Sequence, residues 1–154
     1  MTDKKLILGI DPGCTGSVVI LDEDNNYIDH LLMPTLKTGK SNRVNGVAVM
    51  AFLSQYKISH AYLEKVHSMP QQGVASTFNF GHAAGVIEGI IQGMMIPYTL
   101  ITPQLWKKKA GLIGKDKDEA RSMAIRLYPS IRVLDKKGHG QALADSILIA
   151  RFGK

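Results

Sequence analysis

"LILGIDPGCTGSVVILDED", Leu6 to Asp24, is the stretch from which the rest of the chain can be read. Two runs of strand-forming residues, Lys5 to Ile10 and Ser17 to Asp22, flank a turn containing Pro12, Gly13 and Gly16. Apolar periodicity and turn chemistry predict an adjacent pair of strands. The first strand stops on a lone acid, Asp11. Two readings account for it. Either the turn carries a solvated acid, or the strand end presents a carboxylate to something positive.

Outward from this pair, "DEDNN" (Asp22 to Asn26) signals a hairpin and "YIDHLLM" alternates as a third strand. Pro34 to Asn45 reads as a polar loop, and "VNGVAVMAFLSQY" as a helix ending near Lys57. "ISHAYLEKV" is a β-rich run that again ends on an acid, Glu64. The loop "HSMPQQG" leads into a long helix from about Val74 to Met94, and "IPYTLI" is a fifth strand. "TPQLWKKKAG" is a short helix with Thr102 as N-cap and Pro103 in its first turn. "KDEARSMAIRLYP" and "QALADSILIARF" are further helices, the last beginning near Gln141. Strands one, four and five are joined through helices, which implies parallel neighbours beside an antiparallel meander. The expected fold is α/β: a five-stranded mixed sheet flanked by helices, in one domain over residues 1–154. If the fourth strand lies beside the first, Asp11 and Glu64 leave the same edge.

At 154 residues the chain can bury one core and is short for two ordinary domains. No apolar stretch approaches the roughly 18 to 20 residues of a membrane span. "MTDKKLILG" lacks a signal-peptide pattern, and the lone Cys14 excludes an internal disulfide or a cysteine-rich zinc site. A cytoplasmic location, away from membranes, is the expectation. The 19 Lys+Arg against 13 Asp+Glu, a formal +6, favour a polyanionic partner. Positive charge gathers between Lys107 and Lys137, where Lys107, Lys108, Lys109, Lys115 and Lys117 are candidate phosphate contacts.

Three acids stand in apolar settings: Asp11 after "LILGI", Glu64 in "AYLEKV" and Asp145 in "ALADSILIA". An unpaired ionised carboxylate in a dry site is costly. Each acid alone is as easily a capped or paired scaffold residue as a functional one. Three at the ends of adjacent elements would repel one another, and a hard divalent cation such as Mg²⁺, or Mn²⁺ in its place, would offset that repulsion. Two such ions about 4 Å apart can activate a water and stabilise a leaving oxygen on a phosphodiester. Carboxylates beside basic surface suit a nuclease.

At these residues the sequence resembles a known family. "GIDPGCTG", "YLEKVHSMPQQGVASTFNFGHAAGVIEG", "TPQLWKK" and "ALADSILIA" occur in the order found in RuvC-like Holliday-junction resolvases of bacteria and their phages. The resemblance implies an RNase H-like fold, a homodimer, and Mg²⁺-dependent nicking of two opposed strands at a four-way DNA junction. It implies that Asp11, Glu64 and Asp145 are three of four catalytic residues and hold the metal. At the fourth position the chain departs from the pattern, with Ala142 and Gln141 where an acid or histidine is usual. His139 in "KKGHGQ" is the nearest titratable substitute. On a continuous helix it faces away from Asp145, six steps of about 100° apart. In a loop before a helix starting at Gln141 it folds over the site as second ligand or proton carrier. Its other readings are a solvated histidine or a phosphate contact. Gln141 is correctly spaced but neutral, and suits a metal-bound water.

The remaining features carry paired readings. Gly81, Gly85, Gly89 and Gly93 form a stripe on the long helix, explained by close packing on the sheet or by a dimer seam. Lys65, His67, Gln71 and Gln72 border Glu64 and suit phosphates or bases, while Phe78 and Phe80 suit the core better than base stacking. Trp106 reads as core. "GIDPG" also resembles the phosphate turn of sugar-kinase and actin-like ATPases, for which the chain is too short. A nuclease for flaps and forks, or a junction-binding module with weakened catalysis, are the remaining alternatives.

Overall fold

The computed structural model describes residues 3–154. Five strands form one sheet: β1 (Leu6–Asp11), β2 (Ser17–Asp22), β3 (Tyr27–Leu32), then β6 (Ile58–Glu64) and β7 (Tyr98–Ile101). Their order is β3-β2-β1-β6-β7. The first three are antiparallel, whereas β6 runs parallel to β1 and β7 parallel to β6. Meander and parallel strands therefore meet at β1, as the connection lengths require. Register pairs Ile10 with Leu63, so the acids that follow, Asp11 and Glu64, end neighbouring strands at one edge.

Helices cover both faces. Leu8, Ile10, Val18, Ile20, Ala61 and Leu63 pack under α1 (Gly46–Leu53) and α2 (Val74–Gly93), which contribute Val49, Leu53, Ala83, Ile87 and Ile91. On the other face Val19 and Leu21 meet α4 (Lys117–Leu127) and α5 (Lys137–Phe152), while α3 (Pro103–Ala110) packs beside α5. Alternation along each strand puts successive side chains on opposite faces. Gly9 lets α5 press onto β1: a Cβ there would sit 2.3 Å from the Ser146 carbonyl and 2.6 Å from Ala150 Cβ. Ser17 Oγ donates to the Ala142 carbonyl at 2.6 Å and lies 2.6 Å from Ser146 Oγ, both hydroxyls being buried. These contacts fix the turn of α5 that carries Asp145 against the first two strands.

Four expectations are corrected. Pro34–Asn45 is not all loop: β4 (Thr35–Thr38) and β5 (Ser41–Val44) form a hairpin turning at Gly39, φ +61°. β4 is exposed along its whole length, so no apolar alternation announces it. Helix α1 ends at Leu53, short of Lys57. Helix α5 begins at Lys137, four residues before Gln141. Gly140 is there for space rather than to break the helix, since a Cβ on it would meet the Leu134 carbonyl at 2.5 Å. Finally, Gly81, Gly85, Gly89 and Gly93 do not pack on the sheet. Added Cβ atoms would find nothing within 4 Å, because Ala83, Ile87 and Ile91 form the buried face of α2. Among the described residues no helix is long and apolar enough to cross a membrane.

Candidate active site

Two strand ends and two helix faces build the site. Asp11 closes β1, and α5 crosses that edge with Asp145 in its third turn. The side chain of Asp116 accepts from Glu119 N at 3.0 Å, capping α4 and making Lys117 its first residue. Asp11, Asp145, Lys117, Gln141, Thr15 and Ala142 line one cavity of about 160 Å³. Gln141 lies one helical turn before Asp145, and its Nε2 donates to Asp118 Oδ1 at 3.0 Å. Its carbonyl oxygen is left free by that bond.

Glu64 stands at the next strand end but is held differently. The Trp106 Nε1–H donates to Glu64 Oε2 at 2.7 Å, from a side chain with no exposed surface. Among the described residues no three His, Cys, Asp or Glu side chains gather into a metal cage. The expected trio is thus a pair in one cavity, with the third acid turned toward an indole.

Charge still couples all three. Burial is the largest influence on Asp11; with the charges of Asp145 and Glu64 it pushes the carboxyl up to about 8, against the pull of Lys117 and Lys107. Burial and then Glu64 push Asp145 up to about 6, with the same lysines opposing. Burial raises Glu64 also, against the Trp106 hydrogen bond and the charges of Lys107, Lys117 and His67. Asp22, at the far end of β2, shows what a scaffold acid looks like. Burial presses it upward, yet donors from Asn26 and Asp24 outweigh this and leave it below its ordinary value. Among the described residues no such donor reaches the Asp11 carboxylate. A cluster of hard oxygen ligands under mutual repulsion, with an amide oxygen at its rim, fits a divalent cation.

The other expected residues divide. Lys107, Lys115 and Lys117 line a recess adjoining Asp145. Lys109 points elsewhere and donates to the Lys154 carbonyl, and Lys108 is exposed. His67 and Gln72 line a groove of about 130 Å³ with Phe80, beyond Glu64. Gln71 is exposed in a left-handed turn, φ 67°, and Lys65 is exposed while its backbone N–H donates to Ile101 O at 2.8 Å. Phe78 is not core: it is 63% exposed, with the Arg43 guanidinium 5.6 Å from its ring centroid. His139 is corrected most sharply. It lies in the first turn of α5 rather than in a loop, and does not line the Asp11–Asp145 cavity.

The bond from Trp106 to Glu64 is absent from the sequence-based expectations, which place Trp106 in the core. The signal was present, because a buried indole N–H requires an acceptor and α3 follows the strand beside β6. Trp106→Phe keeps an aromatic ring and removes the donor. It should cost about 2 kcal/mol in chemical denaturation, the worth of a hydrogen bond to a charged group. Unchanged stability would mean that the bond is replaced by solvent.

No protein-family model matches the sequence, and no curated protein matches it. In three dimensions the chain is similar to Thermus thermophilus RuvC in complex with a Holliday junction substrate. The TM-score is 0.64 over 95% of this chain and 90% of that one, at 16% identity. A second Thermus thermophilus RuvC structure gives 0.52 at 18% identity, covering 96% of each chain. At such identities the likeness is one of architecture. The chain has the fold of RuvC, with its acids set at that fold's parallel-strand edge.

Proposed function

We propose that this chain is a divalent-metal-dependent endonuclease that resolves four-way DNA junctions by nicking opposed strands. The observation that carries the reading is the Asp11–Asp145 cavity, faced by Lys117, at the edge of a RuvC-type sheet. The similar structure holds a Holliday junction substrate, which supports branched DNA as the partner here. Asp11, Glu64 and Asp145 would hold the cation, Mg²⁺ or Mn²⁺, with Gln141 offering a neutral oxygen in place of the fourth acid. The bound metal supplies a nucleophilic water at neutral pH and stabilises charge on the leaving oxygen. Lys107 and Lys117 steady the phosphate, and Lys115 extends that contact outward.

A second copy of the chain is the natural occupant of the open α2 stripe. Val74, 88% exposed, and Phe78 lie on the same side of that helix as the glycines. Opposed nicks need two such sites, so the dimer and the reaction belong together. One alternative has a specific observation behind it. The neutral Gln141 and the absence of a gathered cage among the described residues favour a junction-binding module with weakened catalysis.

A labelled synthetic junction separates the two. Paired cuts with Mg²⁺ or Mn²⁺, and none with chelator, are expected. A junction retarded under every condition and never cut would identify the binding module. The lysines give a further prediction. Lys107→Ala and Lys117→Ala should each reduce the slope of log binding constant against log salt by about 1, as one phosphate contact is lost. Lys109→Ala should leave it unchanged, since that side chain is engaged with Lys154.

A further inference from the structure

His139 is left without a place in the carboxylate cavity, yet it is not idle on the surface. It lies on the wall of a second recess, of about 410 Å³, with Cys14, Leu32 and Met33. Thr15, Gly138 and Ala142 line this recess and the carboxylate cavity alike, so the two adjoin. Their chemistry differs. The larger recess is lined by the apolar side chains of Leu32, Met33 and Ala142, has no acid among its lining residues, and includes His139 and Thr15 as residues with polar side chains. A site of this size and composition falls at the lower end of the roughly 300–1,000 Å³ range that suits a small, flat, largely apolar ligand with a few polar edges.

We propose that this recess receives the nucleobase of the nucleotide adjoining the scissile phosphate. The inference rests on the nuclease reading and adds a subsite to it. A phosphate seated between Asp11, Asp145 and Lys117 carries a nucleoside on either side. One of the two would leave the cavity across Thr15 and Gly138, which border both recesses, and the space at Gly138 is open, since an added Cβ there would meet nothing within 4 Å. At a branch point a base has already lost a stacking neighbour, and extruding such a base costs least. The apolar lining takes its face, and the exposed imidazole of His139 supplies a stacking or hydrogen-bonding edge. His139 thereby contributes to which nucleotide is cut rather than to holding metal. Its position six residues before Asp145, on another face of α5, suits this role.

The test uses the full chain and junctions in which the nucleotide on one side or the other of the cut is abasic. Wild type should cut one of the two about tenfold more slowly than the intact junction, the size of a single stacked base. His139→Ala should slow cutting of the intact junction by a comparable factor and show no further loss on that abasic junction, since both remove one contact. Its Mg²⁺ midpoint should match wild type. Equal cutting of both abasic junctions, independent multiplication of the two losses, or a shifted Mg²⁺ midpoint would each overturn the subsite. If junctions are bound but never cut, the nuclease reading fails separately, and 2-aminopurine at the same position decides the recess. Emission that changes about twofold or more on wild type, but not on His139→Ala, keeps it; unchanged emission overturns it.

Discussion

Asp11→Asn should lower junction cutting about 10³-fold or more while making the metal-free protein more stable. The first effect follows from the charge of the proposed ligand. Metal stabilisation of a phosphoryl transition state is worth several kcal/mol, and every 1.36 kcal/mol is about tenfold in rate. The second follows from burial. Asp11 sits near Asp145 and Glu64 with its carboxyl pushed up to about 8, so its charged form is disfavoured in the folded protein. An amide of the same shape carries no such charge. The whole shift sets an upper bound on the gain; because the amide also forfeits the attraction of Lys117 and Lys107, a gain of about 2 kcal/mol at pH 8 is expected, seen as a melting temperature higher by roughly 5 °C. Junction binding should persist, because repulsion of the phosphate falls. Loss of cutting together with unfolding would assign Asp11 to the scaffold instead, where Asp22 already belongs.

The metal-free protein should lose stability as pH rises from about 4 to about 8. The sign comes from proton counting. Asp11 at about 8 and Asp145 at about 6 lie above their ordinary value of 3.8. Between those limits the folded chain holds protons that the unfolded chain has released, and stability then falls with rising pH. The contribution of these two groups is greatest below about 4, where both states hold the protons, and its loss is complete above about 8, while Asp22, held below its ordinary value, acts in the opposite sense at the acid end. A divalent cation held by the ionised carboxylates of the folded state, as proposed, should reverse the trend, most strongly at high pH. Thermal melts of wild type and Asp11→Asn across this range, with and without Mg²⁺, isolate the effect. Wild-type and variant curves that run parallel would remove Asp11 as its source.

How much of this was legible in the chain varied with the physics involved. The sheet could be read because each strand carries its own apolar period and each crossover its length. Asp11 and Glu64 could be placed side by side for the same reason, since parallel strands joined by helices end at one edge. Gly138 and Gly140 suggest a break because glycine weakens helices in general, while Gly140 is small to pass the Leu134 carbonyl, a close approach that residue propensity does not register. His139 followed that error into a loop and out of it again. The α2 glycines were ambiguous because a stripe has no intrinsic inside, and only the burial of Ala83, Ile87 and Ile91 shows which face is turned to the sheet. Lys107 and Lys109 are two residues apart and therefore point apart on α3, a distinction that a charge count over the segment averages away. β4 left no apolar trace because an exposed strand needs no apolar face, and in β5 only Val44 is buried.

The account stands on carboxylates from separate elements gathering a divalent cation. Its most direct test is Mn²⁺ binding, followed by the loss of the free-ion electron paramagnetic resonance signal, on wild type and on Asp11→Asn and Asp145→Asn. Saturable binding to wild type is expected, weakened tenfold or more by either substitution. Binding that both variants retain unchanged, or no binding to any of the three proteins, would contradict it.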